Sequence, residues 1–449
     1  MNEHLLRGPE DPLAAVAALT ALFDQYVVYE RDSIWHVAGD PVGEIVIRPG
    51  VVETAYRTDP SRPEMSGTAI EWSGSPWRAL GDALAACPVP DWQAFGWATF
   101  ETATGGVAPG AALIHLMIPA VRLRVTPGRV EVCCADPGRV AAVTDVLSRP
   151  LPPAPRSVAD AIDVRSDRRY QDAVAKAVAQ IRSGALDKVI LSRVVDVPFA
   201  VDLVATYRNG RVANTPARSF LLDLGGRRAA GFSPETVVEV DPTGVVTTQP
   251  LAGTRALTGD AVRDGELRTE LCSDAKEVYE HATSVKLAFE ELAGLGTASG
   301  PRVTEFLAVK ERGSVQHLAS RVETDLPVGA SGWDALAAVF PAVTASGIPK
   351  AAAYQLIREL EDESRGMYAG AVLMAGADGG LDAALVLRSV YQQGERTWLR
   401  AGAGIVAASQ PEREFEETCE KLGSVAPYLV PARPVVPDDR AEVQTGVAV

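Results

Sequence analysis

Between Lys188 and Thr248 the chain is written largely in short β-branched runs closed by tight turns, and this dictates antiparallel sheet. Lys188-Val-Ile-Leu-Ser-Arg-Val-Val195 reads as a strand by its β-branched content. Ser219–Leu224 and Arg228–Phe232 flank Gly225-Gly226, the pattern of a hairpin with a glycine turn. Thr236–Val240 and Val245–Thr248, joined by Asp-Pro-Thr-Gly, predict a second hairpin. Upstream, Tyr170, Val174, Val178 and Ile181 recur at helical spacing until Gly184 stops the helix. A meander with long helices inserted later is an α+β chain. No strand–GxxxxGK[ST]–helix unit and no GxGxxG unit occurs.

Residues 13–25 predict a helix, with Leu13, Val16, Ala17 and Leu22 on its apolar positions. Short strands follow, at Gly43–Ile47, Phe95–Phe100, Ala112–Ile118 and Arg129–Cys134. The proline-rich segment 149–156 can enter neither a ladder nor a helix interior, so it is a connector. It separates either two domains or two halves of one. From Pro431 onward no apolar period remains, and a disordered tail is expected over 431–449.

The 449 residues suggest about three domains on length alone. The net charge of −15 disfavours nucleic acid as a partner, although a local basic pocket can still take a small anion. No apolar run reaches a membrane span. The charged N-terminus lacks the apolar core of a signal peptide. The five cysteines show no CxxC spacing. A reduced, cytoplasmic, disulfide-free protein is expected.

Two helices carry carboxylates in similar patterns. In Ser273-Asp-Ala-Lys-Glu277-Val-Tyr-Glu280-His281 the glutamates stand at i, i+3, with Val278, Ala282, Val285 and Phe289 as the expected buried stripe. In Ser409-Gln-Pro-Glu412 a capping box is expected, with Phe415, Cys419 and Leu422 apolar behind it. Glu414, Glu417 and Lys421 share another face. Four carboxylates on two helices suit a hard divalent cation such as Mg²⁺, but on spacing alone they read first as two solvated helix faces. The Glu280-His281 pair lacks a second histidine at zinc spacing. Arg388, in the apolar run Ala383–Leu387, needs a partner or an anionic ligand. Gly402-Ala-Gly404 permits either close strand packing or backbone approach to an anion. Gly253-Thr254-Arg255 reads as a turn after Pro250. Glu235, His317 and Lys188, each taken alone, read first as structural.

Taken together and in order, these motifs resemble the chorismate-utilising enzymes. The resemblance rests on Ser233-Pro-Glu235, Pro250-Leu-Ala-Gly-Thr254-Arg, the Ser273–His281 helix and Phe340-Pro-Ala-Val-Thr344-Ala-Ser-Gly-Ile-Pro-Lys350. It continues through Gly366-Met-Tyr368-Ala-Gly-Ala, Arg388, Gly402-Ala-Gly404 and Glu414-Phe-Glu-Glu417-Thr-Cys-Glu-Lys421. It implies one large domain over 1–430, built of two packed antiparallel sheets with outer helices. The motif-rich catalytic part is 165–430, and 1–150 is the variable half.

Within the family, ammonia-using members typically carry glutamine where this chain has Lys188, so the resemblance implies a water-using enzyme without a glutaminase subunit. Ala252 replaces the lysine typical of aminodeoxychorismate synthase. The Phe340–Lys350 string, Leu307–Leu318 and Thr397–Ile405 resemble the salicylate synthases of siderophore pathways. The implied reaction is chorismate to salicylate and pyruvate through isochorismate. The alternatives are an isochorismate synthase that releases its product, or a non-catalytic binding relative.

The resemblance also implies roles. Glu280 and Glu417 would hold Mg²⁺ directly, and Glu277 and Glu414 through waters. Lys188 would be the general base toward water and Glu235 the acid. Gly253, Thr254, Thr344, Tyr368, Arg388, Gly402 and Lys421 would bind the substrate. His317 would orient the carboxylate or assist the lyase half-reaction. A monomer is expected, with chorismate as its small-molecule partner.

Overall fold

Two strands outrun all the others, Ile34–Arg48 at 15 residues and Ile114–Thr126 at 13, and they tie the molecule together. They pair antiparallel, with Pro41 opposite Pro119 and a register shift before Gly43. Proline has no N–H to donate, so the ladder is interrupted at that point. On either side of it the strands have different neighbours. Ile34–Gly39 pairs with Tyr26–Arg31, whereas Gly43–Arg48 pairs with Val51–Tyr56.

In this computed structural model, residues 2–57, 64–105, 108, 110–151, 153, 162–165 and 169–432 are described. Half of the connector 149–156 and the tail beyond Ala432 lie outside them. Every strand pairing is antiparallel. From the two long strands one sheet continues through Tyr26–Arg31, Arg218–Leu224, Arg227–Ser233, Ser389–Gln393, Arg396–Ile405 and Lys188–Asp196. The other continues through Gln93–Ala98, Ala371–Gly376, Leu381–Leu385, Thr236–Val240, Val245–Thr248 and Val315–Asp325. The expected pair of sheets is therefore one continuous network, because two strands are long enough to serve both.

Alternation along the strands separates two cores. Val27, Tyr29, Phe220, Leu222 and Ala229 face a core shared with the second sheet. Val28, Leu221 and Ala230 face a smaller one, closed by Ala15, Val16 and Leu19 of the helix Pro12–Thr20 and by Leu203 and Tyr207 of Leu203–Ala213. The two hairpins occur as expected, at Arg218–Leu224/Arg227–Ser233 and Thr236–Val240/Val245–Thr248. All five cysteines are free. Among the described residues no helix is long and apolar enough to cross a membrane.

Candidate active site

The chain crosses from one sheet to the other twice side by side, and each crossing presents a functional side chain. Arg227–Ser233 belongs to the first sheet and Thr236–Val240 to the second, and Glu235 lies between them. Leu381–Leu385 belongs to the second and Ser389–Gln393 to the first, and Arg388 lies between those. The crossings are stitched by Ser233 Oγ, which donates to the carbonyls of Glu235 and Leu385, and by the Leu385 N–H, which donates to the Glu235 carbonyl. Arg388 was expected inside a strand. Instead the strand stops at Leu385, and Arg388 has φ 52°, a left-handed conformation unusual for a side-chain-bearing residue.

The cavity beside the crossings is lined by Glu235, Gly253, Thr254, Glu280, His317, Thr344, Tyr368, Arg388, Gly402, Glu417 and Lys421, among others. Three expected site residues are not on this wall. Glu277 and Glu414 line an adjoining cavity, and Lys188 stands behind Glu280. Gly253-Thr254-Arg255 is not a turn. It belongs to the strand Leu251–Ala256, bulged at Gly253 with φ 82°, and the bulge re-aims Thr254.

Glu235 is 2 % exposed. Its carboxylate accepts from the Leu251 N–H at 2.7 Å and from the Thr344 hydroxyl. Burial pushes its pKa up to about 7, although both bonds and the charges of Lys188 and Lys421 act in the opposite sense. Arg388 donates to the Arg312 carbonyl at 3.1 Å and to His317 Nε2 at 2.8 Å, and among the described residues no carboxylate is ion-paired with it. Burial lowers its pKa to about 10. Because the guanidinium can only donate, His317 Nε2 is the acceptor and Nδ1 carries the proton, directed at Thr254 Oγ1 (3.1 Å) and the Gly253 carbonyl (3.3 Å). Burial, reinforced by Arg388 and Lys421, keeps this imidazole neutral. His317 thus couples Arg388 to Thr254.

Gly402 leaves no room for a side chain: a Cβ there would stand 2.7 Å from the Tyr368 hydroxyl and 2.6 Å from the Leu191 carbonyl. At Gly404 a Cβ would collide with the Glu280 carboxylate. The small residues therefore make room for two side chains of the site. Lys421 Nζ donates to the Gly402 carbonyl at 2.9 Å and pairs with Glu417 at 2.7 Å.

The helix Ala275–Ala293 is turned differently from expectation. Its buried face is Glu277, Glu280, His281, Ser284, Val285, Ala288 and Leu292, while Phe289 is exposed. The helix Pro411–Leu422 likewise buries Glu414 and Glu417. The expected cap Ser409 serves the loop instead, accepting from the Val406 N–H, and Gln410 takes the N-cap position without a side-chain capping bond. His281 bonds Ser320 and takes no part in the cavity.

Each of the four glutamates has a basic partner: Lys188–Glu280 at 2.9 Å, Lys421–Glu417 at 2.7 Å, Lys276–Glu414 at 2.9 Å and Arg255–Glu277 at 3.0 Å. Lys276 and Arg255 carry no signal in the sequence, since Lys276 meets a glutamate from a distant helix. Burial and the charge of Glu417 raise the pKa of both Glu277 and Glu414, the latter to about 7. Burial opposes ionisation of Glu417 as well, but Lys421 and Lys276 hold it below the usual carboxylate range. As the side chains stand, no three acidic, histidine or cysteine residues among the described ones converge closely enough to hold an ion. The donor set nonetheless fits a hard divalent cation: oxygen ligands only, mutually repelling, with Glu414 Oε2 buried and lacking a hydrogen bond.

Residues 50–427 match the chorismate binding enzyme family, and the chain belongs to it. It is 44% identical over 440 residues to the salicylate synthase of Mycolicibacterium paratuberculosis, covering 94% of each chain. It superposes on anthranilate synthase component I from Streptococcus pneumoniae with TM-score 0.72, at 27% identity, covering 88% of this chain and 92% of that one. The menaquinone-specific isochorismate synthase from Escherichia coli shares the fold, with TM-score 0.68 at 20% identity over 96% and 94% of the two chains.

Proposed function

We propose that this enzyme converts chorismate to salicylate and pyruvate through isochorismate. The observation that carries the reading is one cavity holding both a buried carboxyl poised near neutrality, Glu235, and a buried guanidinium without a carboxylate partner, Arg388. The first is an acid for a departing hydroxyl, and the second is a seat for a carboxylate. The likeness to a salicylate synthase along 94% of both chains selects this member of the family.

Arg388 and the Tyr368 hydroxyl bind the enolpyruvyl carboxylate, and Thr254, oriented through His317, bonds the ring carboxylate. Glu277, Glu280, Glu414 and Glu417 would hold Mg²⁺, which supplies positive charge to a dianionic substrate that these glutamates would otherwise repel. Lys188, once released from its ion pair with Glu280 and deprotonated, takes a proton from the water that adds at C2, and Glu235 gives one to the hydroxyl leaving C4, with the double bond shifting between them. Water enters and water leaves, so the first half-reaction is an isomerisation. In the second, hydrogen passes from C2 to the enolpyruvyl methylene as the C–O bond breaks. This step needs a held conformation more than an acid or base.

The test is incubation with chorismate and Mg²⁺, following salicylate fluorescence and pyruvate. One pyruvate per salicylate is expected, with turnover abolished by EDTA and restored by Mg²⁺. Accumulation of isochorismate without pyruvate would instead identify an isochorismate synthase. Unconsumed chorismate would leave only a binding role.

A further inference from the structure

Lys276 stands where the two glutamate helices meet. Its Nζ lies 2.9 Å from Glu414 Oε1 and 3.7 Å from Glu277 Oε1, and its side chain is 20% exposed. Asp274 caps the helix by accepting from the Lys276 and Glu277 N–H groups, which fixes the lysine at the first turn. Burial disfavours its ammonium, yet the fields of Glu414, Glu417, Glu277 and Glu280, in that order, hold it firmly protonated. Two of the four carboxylates assigned above to the cation, Glu414 and Glu277, therefore face this one lysine. It also borders the adjoining cavity, whose charged lining mixes Arg255, Arg263 and Arg413 with Glu270, Asp274 and Glu420.

We propose that Lys276 is a built-in counter-cation: it neutralises the glutamate cluster when no metal is bound, and a divalent cation must compete with it. The proposal rests on the reading that these four glutamates hold the metal. The physical reason is that Glu414 and Glu277 both lie against this lysine in a buried site, and its tethered ammonium offsets their charge as Lys188 and Lys421 do for Glu280 and Glu417. The same charge repels an arriving dication. Its long, flexible stem allows it to swing into the adjoining cavity, where Glu270, Asp274 and Glu420 offer other acceptors, when the cation takes Glu414.

The experiment measures Mn²⁺ binding to the full chain by electron paramagnetic resonance, and thermal unfolding with and without metal, for the parent, Lys276→Gln and Lys276→Arg. The Gln variant should bind Mn²⁺ roughly tenfold more tightly, since a unit charge a few ångströms away is removed. Its metal-free form should melt lower than the parent, and metal should raise its melting temperature by more. Lys276→Arg keeps the charge and should match the parent in affinity. If the Gln variant folds only in the presence of metal, the unequal melting shifts still support the proposal. Equal or weaker Mn²⁺ binding by the Gln variant, with an unchanged melting shift, overturns it. Failure of the parent to bind Mn²⁺ at all overturns the underlying metal assignment instead.

Discussion

Glu235 and Thr344 make a pair whose chemistry can be read from a pH profile. Glu235 is an acid only while protonated, so kcat/KM for chorismate should fall as pH rises through about 7. The Thr344 hydroxyl bonds the ionised carboxylate and thereby lowers its pKa, so Thr344→Val should move that descending limb to higher pH. An unmoved limb would assign it to another group. Glu235→Gln keeps the shape and loses the transferable proton. It should stop chorismate turnover yet still pass supplied isochorismate to salicylate. Equal loss on both substrates would make Glu235 a binding residue. Lys188→Gln should cost chorismate turnover roughly 10²–10⁴-fold, the usual worth of a general base, and spare the isochorismate half-reaction. Survival of chorismate turnover within about threefold of the parent would mean that something else activates water.

At the scale of elements, the strand Arg396–Ile405 and the helix Pro411–Leu422 form one wall through Lys421 and Gly402. A methyl at residue 402 meets a backbone carbonyl of the neighbouring strand, which cannot give way without disturbing the ladder, and the Tyr368 hydroxyl. Gly402→Ala should therefore destabilise by about 1–3 kcal/mol and raise KM for chorismate together. A melting curve and KM both like the parent's would show that the strand relaxes freely. Glu417→Gln leaves Lys421 buried without its counter-charge. Loss of about 3–5 kcal/mol in a denaturant titration is expected beside the loss of activity.

At the scale of the whole molecule, the N-terminal half supplies central strands. Gln93–Ala98 pairs with Ala371–Gly376, and Tyr26–Arg31 pairs with Arg218–Leu224. Removing them opens both sheets and exposes Phe220, Leu222, Val372 and Leu373, all buried in the shared core. A fragment of residues 165–430 holds nearly every motif but should show no cooperative unfolding transition, whereas residues 1–432 should melt like the parent. A cooperative transition in the fragment would make the two halves independent units.

Local pattern was enough for the sequence to determine the hairpins, the antiparallel α+β character, the two glutamate helices and, through ordered motifs, the family. These follow from turn chemistry and periodicity within a few residues, which a chain carries wherever it goes. Tertiary structure decided which face each helix buries. Spacing placed Phe289 inside, but the helix packs against a polar cavity and turns Glu277 and Glu280 inward. It decided that Arg388 leaves its strand, because the chain must change sheets there. It chose Lys276, Arg255 and His317 as partners for groups distant in sequence. Such pairings depend on which surfaces meet after folding, and neither composition nor period carries that information.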